Sequence, residues 1–238
     1  MKINWRHLRL VLSISKHGSA NAAAREIGVS QQAVSQAIDG LEDSFGIALF
    51  TRKPSGHALT AAGEVVSQRV KRALSTLDPA LARLSPRLAR AATAAQLRAF
   101  AALVDTGSTT MAARQLGIAQ PTVHRAVTHF EKETATQLFE RAWHGLRAKK
   151  PARDLAQAYL SAMSELSQIE GDLAALHGSH AGHISIGAMP LARVGFVAPA
   201  VAAFQARAPN IPIRIMDGSY EGHIHSLQRG DIEVLVGA

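Results

Sequence analysis

The chain of 238 residues is long enough for one large domain or two to three small ones, with cores that need no covalent staples. It has no cysteine, which excludes disulfides, thiolate metal sites and cysteine nucleophiles and suits a reducing cytosol. Of the net charge of +8, residues 1–93 carry nearly all, with 13 Lys and Arg against 6 Asp and Glu; residues 94–177 hold 9 against 8 and residues 178–238 hold 4 against 4. A basic surface on the first third would attract a polyanion at long range. No apolar run approaches the roughly 18–20 residues of a membrane span, and Met1-Lys2-Ile3-Asn4-Trp5-Arg6 lacks the apolar core of a signal peptide. The expected location is the cytoplasm, with no membrane partner.

Taken in order, Trp5 to His17 reads as a helix with Leu8 and Leu12 on one face and Val11 beside them. Gly18 stops it and Ser19 caps the next helix, Ala20–Ile27, which Ala22, Ala23 and Ala24 keep slim enough for close approach. Gly28 ends that helix by the left-handed cap. Ser30 then suits the N-cap of a third helix, with Val34, Ile38 and Leu41 as its buried stripe. Gln31, Gln32, Ser35 and Gln36 point away from that stripe and offer both donors and acceptors, as reading base edges requires. Two helices joined by a four-residue turn with glycine form the helix-turn-helix signature. The apolar segment from Phe45 to Arg52, the turn Lys53-Pro54-Ser55-Gly56-His57 and the return Ala58-Leu59-Thr60 predict a small hairpin, a wing, with Arg52, Lys53 and His57 near its tip. Thr60 caps a long helix from Ala61 through Val65, Val66 and Val70. Pro79 and Pro86 are expected to interrupt the next stretch, Asp78–Arg90, into short helices, so that no single helix spans residues 61–110 and residues 64–93 form a helical connector.

An internal repeat follows. Shifted by 89 residues, Leu8–Gly56 lies on Leu97–Gly145 without a gap, with 16 of 49 positions identical. The identities include Gly18-Ser19 with Gly107-Ser108, Gly28 with Gly117, Gln31 with Gln120, Val34 with Val123, Glu42 with Glu131, Arg52 with Arg141 and Gly56 with Gly145. They fall at turns, at the small-residue face and at the apolar pair after the third helix, so the chain holds two copies of one unit. The copies differ on the outward face: Gln32, Ser35 and Gln36 become Pro121, His124 and Arg125. The second wing gains Arg147, Lys149, Lys150 and Arg153. After Pro151 a helix is predicted to about Leu176, with a stripe of Leu155, Tyr159, Ala162, Met163, Leu166, Ile169 and Leu173 that calls for a partner helix and makes residues 151–177 a candidate dimer seam.

Residues 177–182 read as a hinge, and the texture then changes. Strands over residues 183–188, 211–216 and 232–237 alternate with helices Val194–Arg207 and Glu221–Arg229, which predicts a parallel sheet. Three strands and two helices give such a sheet too little cover, so residues 182–238 look like the first part of a larger α/β domain. Eleven histidines invite a metal or acid–base site. However, His177, His180 and His183, and His223 and His225, have no metal-pattern Glu beside them, and no nucleophile elbow or phosphate loop occurs. These histidines read as solvated loop residues. No metal, no cofactor and no catalytic residue is expected, and the chain reads as a non-enzyme.

The segments Gly18-Ser-Ala-Asn-Ala-Ala-Ala-Arg-Glu-Ile-Gly-Val-Ser-Gln-Gln-Ala-Val-Ser, Leu41-Glu42, Leu49-Phe50-Thr51-Arg52 and Leu59-Thr60-Ala61-Ala62-Gly63 resemble the LysR-type transcriptional regulators. The second unit resembles the family through Gln120-Pro121 to Arg141 and departs from its Leu-Thr-x-Ala-Gly end; residues 182–238 resemble the opening third of its effector-binding domain. The resemblance implies a mainly α chain: two winged helix-turn-helix domains over residues 1–63 and 94–150 with linker helices, then an incomplete α/β, periplasmic-binding-protein-like domain. It implies a sequence-specific regulator of double-stranded promoter DNA, responsive to a small-molecule effector and assembled as a homo-oligomer such as a dimer. Ser30, Gln31, Gln32, Ser35 and Gln36 would enter the major groove, while Arg52, Lys53 and His57 would touch backbone or minor groove. The matching positions in the second unit are Gln120, Pro121, Thr122, His124, Arg125 and Arg141; the effector cleft would lie near Met189, Pro190, Leu191 and Ala192. A tandem pair departs from the family's single copy and leaves two architectures open. Either the two units form an intramolecular pseudo-dimer on two half-sites, or only the first binds DNA and the second serves assembly.

Overall fold

The computed structural model describes residues 4–53, 56–143, 145–176 and 183–237. The hinge 177–182 with His177 and His180, and Pro54 and Ser55 of the first wing turn, lie outside the described residues. The first unit runs α1 (Trp5–His17), α2 (Ala20–Ile27), α3 (Gln31–Phe45), β1 (Phe50–Lys53), β2 (Gly56–Leu59) and α4 (Ala61–Leu84). After α5 (Pro86–Ala91) the same order returns as α6 (Ala94–Thr106), α7 (Thr109–Leu116), α8 (Gln120–Thr134), β3 (Phe139–Ala142), β4 (Gly145–Ala148) and α9 (Lys150–Ser167), with α10 (Ile169–Leu176) continuing α9. Caps set these boundaries: Ser19, Ser30, Thr60, Thr93 and Ser108 each accept a first-turn N–H.

Several of the repeat identities are scaffold contacts. Glu42 sends Oε1 back to accept the N–H groups of Leu49 (2.7 Å) and Phe50 (3.1 Å), and Glu131 does the same for Leu138 (2.9 Å) and Phe139 (3.2 Å). Each carboxylate thereby ties its long helix to its wing with charge-assisted bonds. The hairpins return to the first turn of each unit: His57 N–H donates to Gly18 O at 2.7 Å, and Leu146 N–H to Gly107 O at 2.8 Å. The second unit is less well capped. Where Ser30 caps α3, Ala119 gives α8 no side-chain cap, and where Gly46 closes α3 at φ 66°, Ala135 is held at φ 49°. Ala119→Ser is expected to stabilise the second unit by about 1 kcal/mol, restoring the missing cap, in chemical denaturation; an unchanged midpoint would show that α8 begins elsewhere.

Two expectations about the linkers are corrected. Pro79 does not break α4, which runs 24 residues through it. Pro79 sits on the exposed face, and the buried Leu77 and Leu81 on the opposite face hold the helix against the loss of one hydrogen bond. Pro86, by contrast, opens α5, where its missing N–H is harmless. The stripe after Pro151 is also not left for a second chain: α9 lies along α4 of its own chain. Val66, Val70, Ala73 and Leu77 of α4 are buried, as are Leu155, Tyr159, Ala162 and Leu166 of α9, the same positions 89 residues on. The pair is antiparallel. Arg69, near the start of α4, reaches Glu165 and Asp172 at the far end of α9 and in α10, while Ser75–Leu84 line a groove with Lys150–Ser161. A break at Gln168 separates α9 from α10; nothing in the structure explains its position.

The last third forms a three-stranded parallel sheet, order β6-β5-β7, from β5 (Ile184–Ala188), β6 (Ile213–Met216) and β7 (Val234–Val236). The helix expected from Val194 starts earlier, at Pro190. It comprises α11 (Pro190–Ala192), a π-helical turn Arg193–Val197 and α12 (Ala198–Arg207), and α13 (Tyr220–Arg229) follows β6. The reading of His223 as a solvated loop residue is corrected. It lies in α13, 2% exposed, with its ring against Gly187 and Gly218, because the small glycines leave room for an imidazole over the sheet. His183 and His225 are exposed, the latter on α13. Among the described residues no helix is long and apolar enough to cross a membrane, and no three potential metal ligands come together.

Candidate nucleic-acid interface

The first candidate surface is built on α3. Buried Val34, Ala37, Ile38 and Leu41 seat the helix on α1 and α2, and this fixes which side chains face outward. Gln31, Gln32 and Gln36 are exposed, whereas Ser35 is half-buried. Ser30 is exposed, but its hydroxyl accepts the Ala33 N–H at 3.2 Å, so it orients the helix end. Its neighbours then present amide donors and acceptors at the first turns of a helix backed by a rigid apolar face, the geometry by which a helix enters a major groove.

The wing adds the second part. In the β1–β2 ladder Arg52 pairs with His57 and Lys53 with Gly56. Arg52 and Lys53 are exposed. His57 is half-buried, its ring edge-on to Phe50 at 6.3 Å, so it lies behind the tip rather than on it. Thr60 fixes the wing to α4 twice, accepting from Gly63 N–H at 2.9 Å and donating to Ala48 O at 2.7 Å. Lys16 and Ser13 of α1 hold the Glu26 carboxyl down to about 2, and these bonds tie α1 to α2.

The second unit repeats the scaffold with a different face. Gln120, Pro121, His124 and Arg125 are exposed on α8 and Thr122 is half-buried. Gln120 Nε2 donates to Thr109 Oγ1 at 3.1 Å, and His124 Nδ1 lies 3.4 Å from Thr128 Oγ1. Arg141 is exposed on β3. Sequence reasoning passed over Trp143, which stands 91% exposed at the tip of the second wing, where the first unit has Pro54. The signal lay in the repeat itself, since Lys53-Pro54 becomes Ala142-Trp143.

The residues proposed for an effector lie apart from both faces. Met189, Pro190, Leu191 and Ala192 follow the carboxyl end of the central strand β5, the edge of a parallel sheet where ligands commonly sit. Met189 N–H donates to Val236 O at 3.0 Å, Leu191 is 91% exposed, and Arg193 pairs with Asp217 across the same edge.

Comparison with known proteins gives a consistent set of likenesses. The family described as "Bacterial regulatory helix-turn-helix protein, lysR family" matches residues 5–64 and again residues 94–148, and "LysR substrate binding domain" matches residues 177–238. The transcriptional regulator GalR of Pseudomonas putida is 29% identical over 238 residues, covering 99% of this chain and 60% of its own length. CbbR of Xanthobacter flavus is 30% identical over 141 residues, 59% of this chain and 42% of CbbR. The chain thus spans 60% of GalR and 42% of CbbR, less than two thirds of each. Among solved structures, CbnR, a LysR family transcriptional regulator, covers 58% of this chain and 46% of its own at 19% identity with a TM-score of 0.41. Oxidised OxyR of Corynebacterium glutamicum covers 58% of this chain and 42% of its own at 22% identity, with a TM-score of 0.34.

Proposed function

Because the chain belongs to the LysR family of bacterial regulatory helix-turn-helix proteins, we propose that it is a sequence-specific regulator that binds double-stranded promoter DNA through α3 and the first wing. The observation that carries this is the α3 surface: Gln31, Gln32 and Gln36 stand outward on a helix clamped by its apolar face and by the Glu42 tie to the wing. Arg52 and Lys53 would hold phosphates, and His57 would support the wing from behind. The basic excess of residues 1–93 supplies the long-range attraction. Residues 189–192 would border a small-molecule effector cleft at the carboxyl edge of the sheet, where the effector would tune the promoter contacts. The relatives are named as transcriptional regulators, which favours a non-enzymatic role in the cytoplasm. Homo-oligomers would assemble through faces other than the α4–α9 seam, which the chain covers itself.

A second reading keeps the second unit for assembly alone; its net charge of +1 over residues 94–177 and its weaker caps favour it. Footprinting the full chain on promoter fragments tests the main reading. Gln32→Ala with Gln36→Ala is expected to lower specific binding by about 1–3 kcal/mol per lost base contact. The slope of affinity against salt should stay unchanged, since neither residue is charged. An unaltered footprint and sequence preference would remove α3 from the interface.

A further inference from the structure

We propose that one chain recognises a non-palindromic duplex site whose two half-sites differ in base chemistry, an A·T-containing half under α3 and a guanine-containing half under α8. This rests on the DNA-binding reading above and extends it to the second unit. Three observations carry it.

The units are joined at opposite ends of one rod. The antiparallel packing of α4 on α9 puts the start of each helix, and with it the attached wing, at opposite ends of the seam. A helix of 24 residues is about 36 Å long at about 1.5 Å per residue, the scale of one turn of duplex.

The pairing is built for unlike partners. Arg69 Nε donates to Asp172 at 2.6 Å, its second nitrogen reaches the same carboxylate at 3.3 Å, and the third reaches Glu165 at 2.9 Å. In the repeat, Arg69 corresponds to Ala158, Glu165 to Thr76 and Asp172 to Arg83. Two copies of α4 in this register would therefore set Arg69 against Arg83, and two copies of α9 with its α10 would leave Glu165 and Asp172 facing Ala158. Only the mixed pair neutralises the charges, so the seam favours one α4 with one α9 over pairing of like arms.

The outward faces are chemically unlike. A glutamine amide matches the donor–acceptor pair of adenine, whereas a guanidinium matches the two acceptors of guanine. Both units keep one exposed glutamine at the helix start, Gln31 and Gln120, the latter donating to Thr109; beyond it the first offers exposed Gln32 and Gln36, and the second exposed His124 and Arg125 with Trp143 at its wing tip. The first wing tip is cationic and suits phosphate; the second presents an aromatic plate of the kind that packs against sugars or wedges at a base step.

Selection of a randomised duplex pool by the full chain, followed by sequencing and the mass of the complex in solution, tests this. The expected product is a site without dyad symmetry, its halves about one helical turn apart, with one chain per site whatever the number of chains in the assembly. Arg125→Ala, at an exposed position, should lower the preference for guanine in one half by about 5- to 150-fold and leave the other half unchanged; Gln36→Ala should do the converse. A palindromic site occupied by two chains overturns the inference while leaving specific DNA binding intact. A site confined to the α3 half and indifferent to Arg125→Ala overturns it too, in favour of the assembly role. No enrichment over the starting pool removes the DNA-binding reading and this inference with it.

Discussion

Gly56→Ala is expected to unseat the first wing. A Cβ built at Gly56 would lie 2.1 Å from Gly18 O, and the backbone there is at φ 124°, where side chains are strained. The atom it meets belongs to backbone that also accepts the His57 N–H, so neither side can yield without breaking the bond that seats the hairpin. Strain and the lost hydrogen bond together should destabilise the first unit by about 2–4 kcal/mol. The matched glycine provides an internal scale. At Gly145 the same Cβ would lie 2.6 Å from Gly107 O, so Gly145→Ala should act in the same direction but less strongly. Chemical denaturation and amide exchange at His57 and Leu146 would measure both. Near-wild-type stability for Gly56→Ala would mean that the wing is not held to the α1–α2 turn as described.

The second large effect is expected at Phe100. It is fully buried, its ring centroid 4.9 Å from that of Phe130 and 5.5 Å from that of Phe139. The first unit has Val11, Leu41 and Phe50 at the same three places, so the second unit concentrates its core in one aromatic cluster. Phe100→Ala removes the central ring and leaves a cavity between two rigid ones, a loss of about 3–5 kcal/mol. Amide exchange should accelerate in α6, α7 and α8 far more than in α1, α2 and α3. Equal acceleration in both sets would show that the helical body opens only as a whole.

Much of the architecture could be read from the chain because its signals are local. Ser19 and Ser30 cap α2 and α3, Gly18 and Gly28 close α1 and α2 in the left-handed conformation, and the 89-residue register located the second unit down to its matched wing glycine. What escaped was decided by packing at long range. Pro79 argued for a break, and only the burial of Leu77 and Leu81 on the other side of α4 overrides it. The stripe from Leu155 to Leu166 announced a partner helix without saying which one. The answer lay in α4, whose Val66, Val70 and Leu77 carry the same pattern. His223 was misjudged because its cover comes from Gly187 and Gly218, one on another element and one in a loop. On the candidate surface, the periodicity that buries Val34 and Ile38 indicated which glutamines face outward. The half-buried states of Ser35 and His57 depend on neighbours that periodicity cannot locate.

The seam between α4 and α9 also bears on how occupancy should respond to abundance. Arms that meet by collision between two chains form a reader at a rate set by the square of protein concentration, and dilution takes it apart. Arms joined through α5 within one chain meet at a fixed effective concentration, so their pairing is first order and survives dilution. Titration of a two-half site by such a chain is expected to follow a simple hyperbola down to the lowest concentrations, without the sigmoidal threshold that a dissociating dimer imposes. A cell holding only a few copies would then keep every one of them competent.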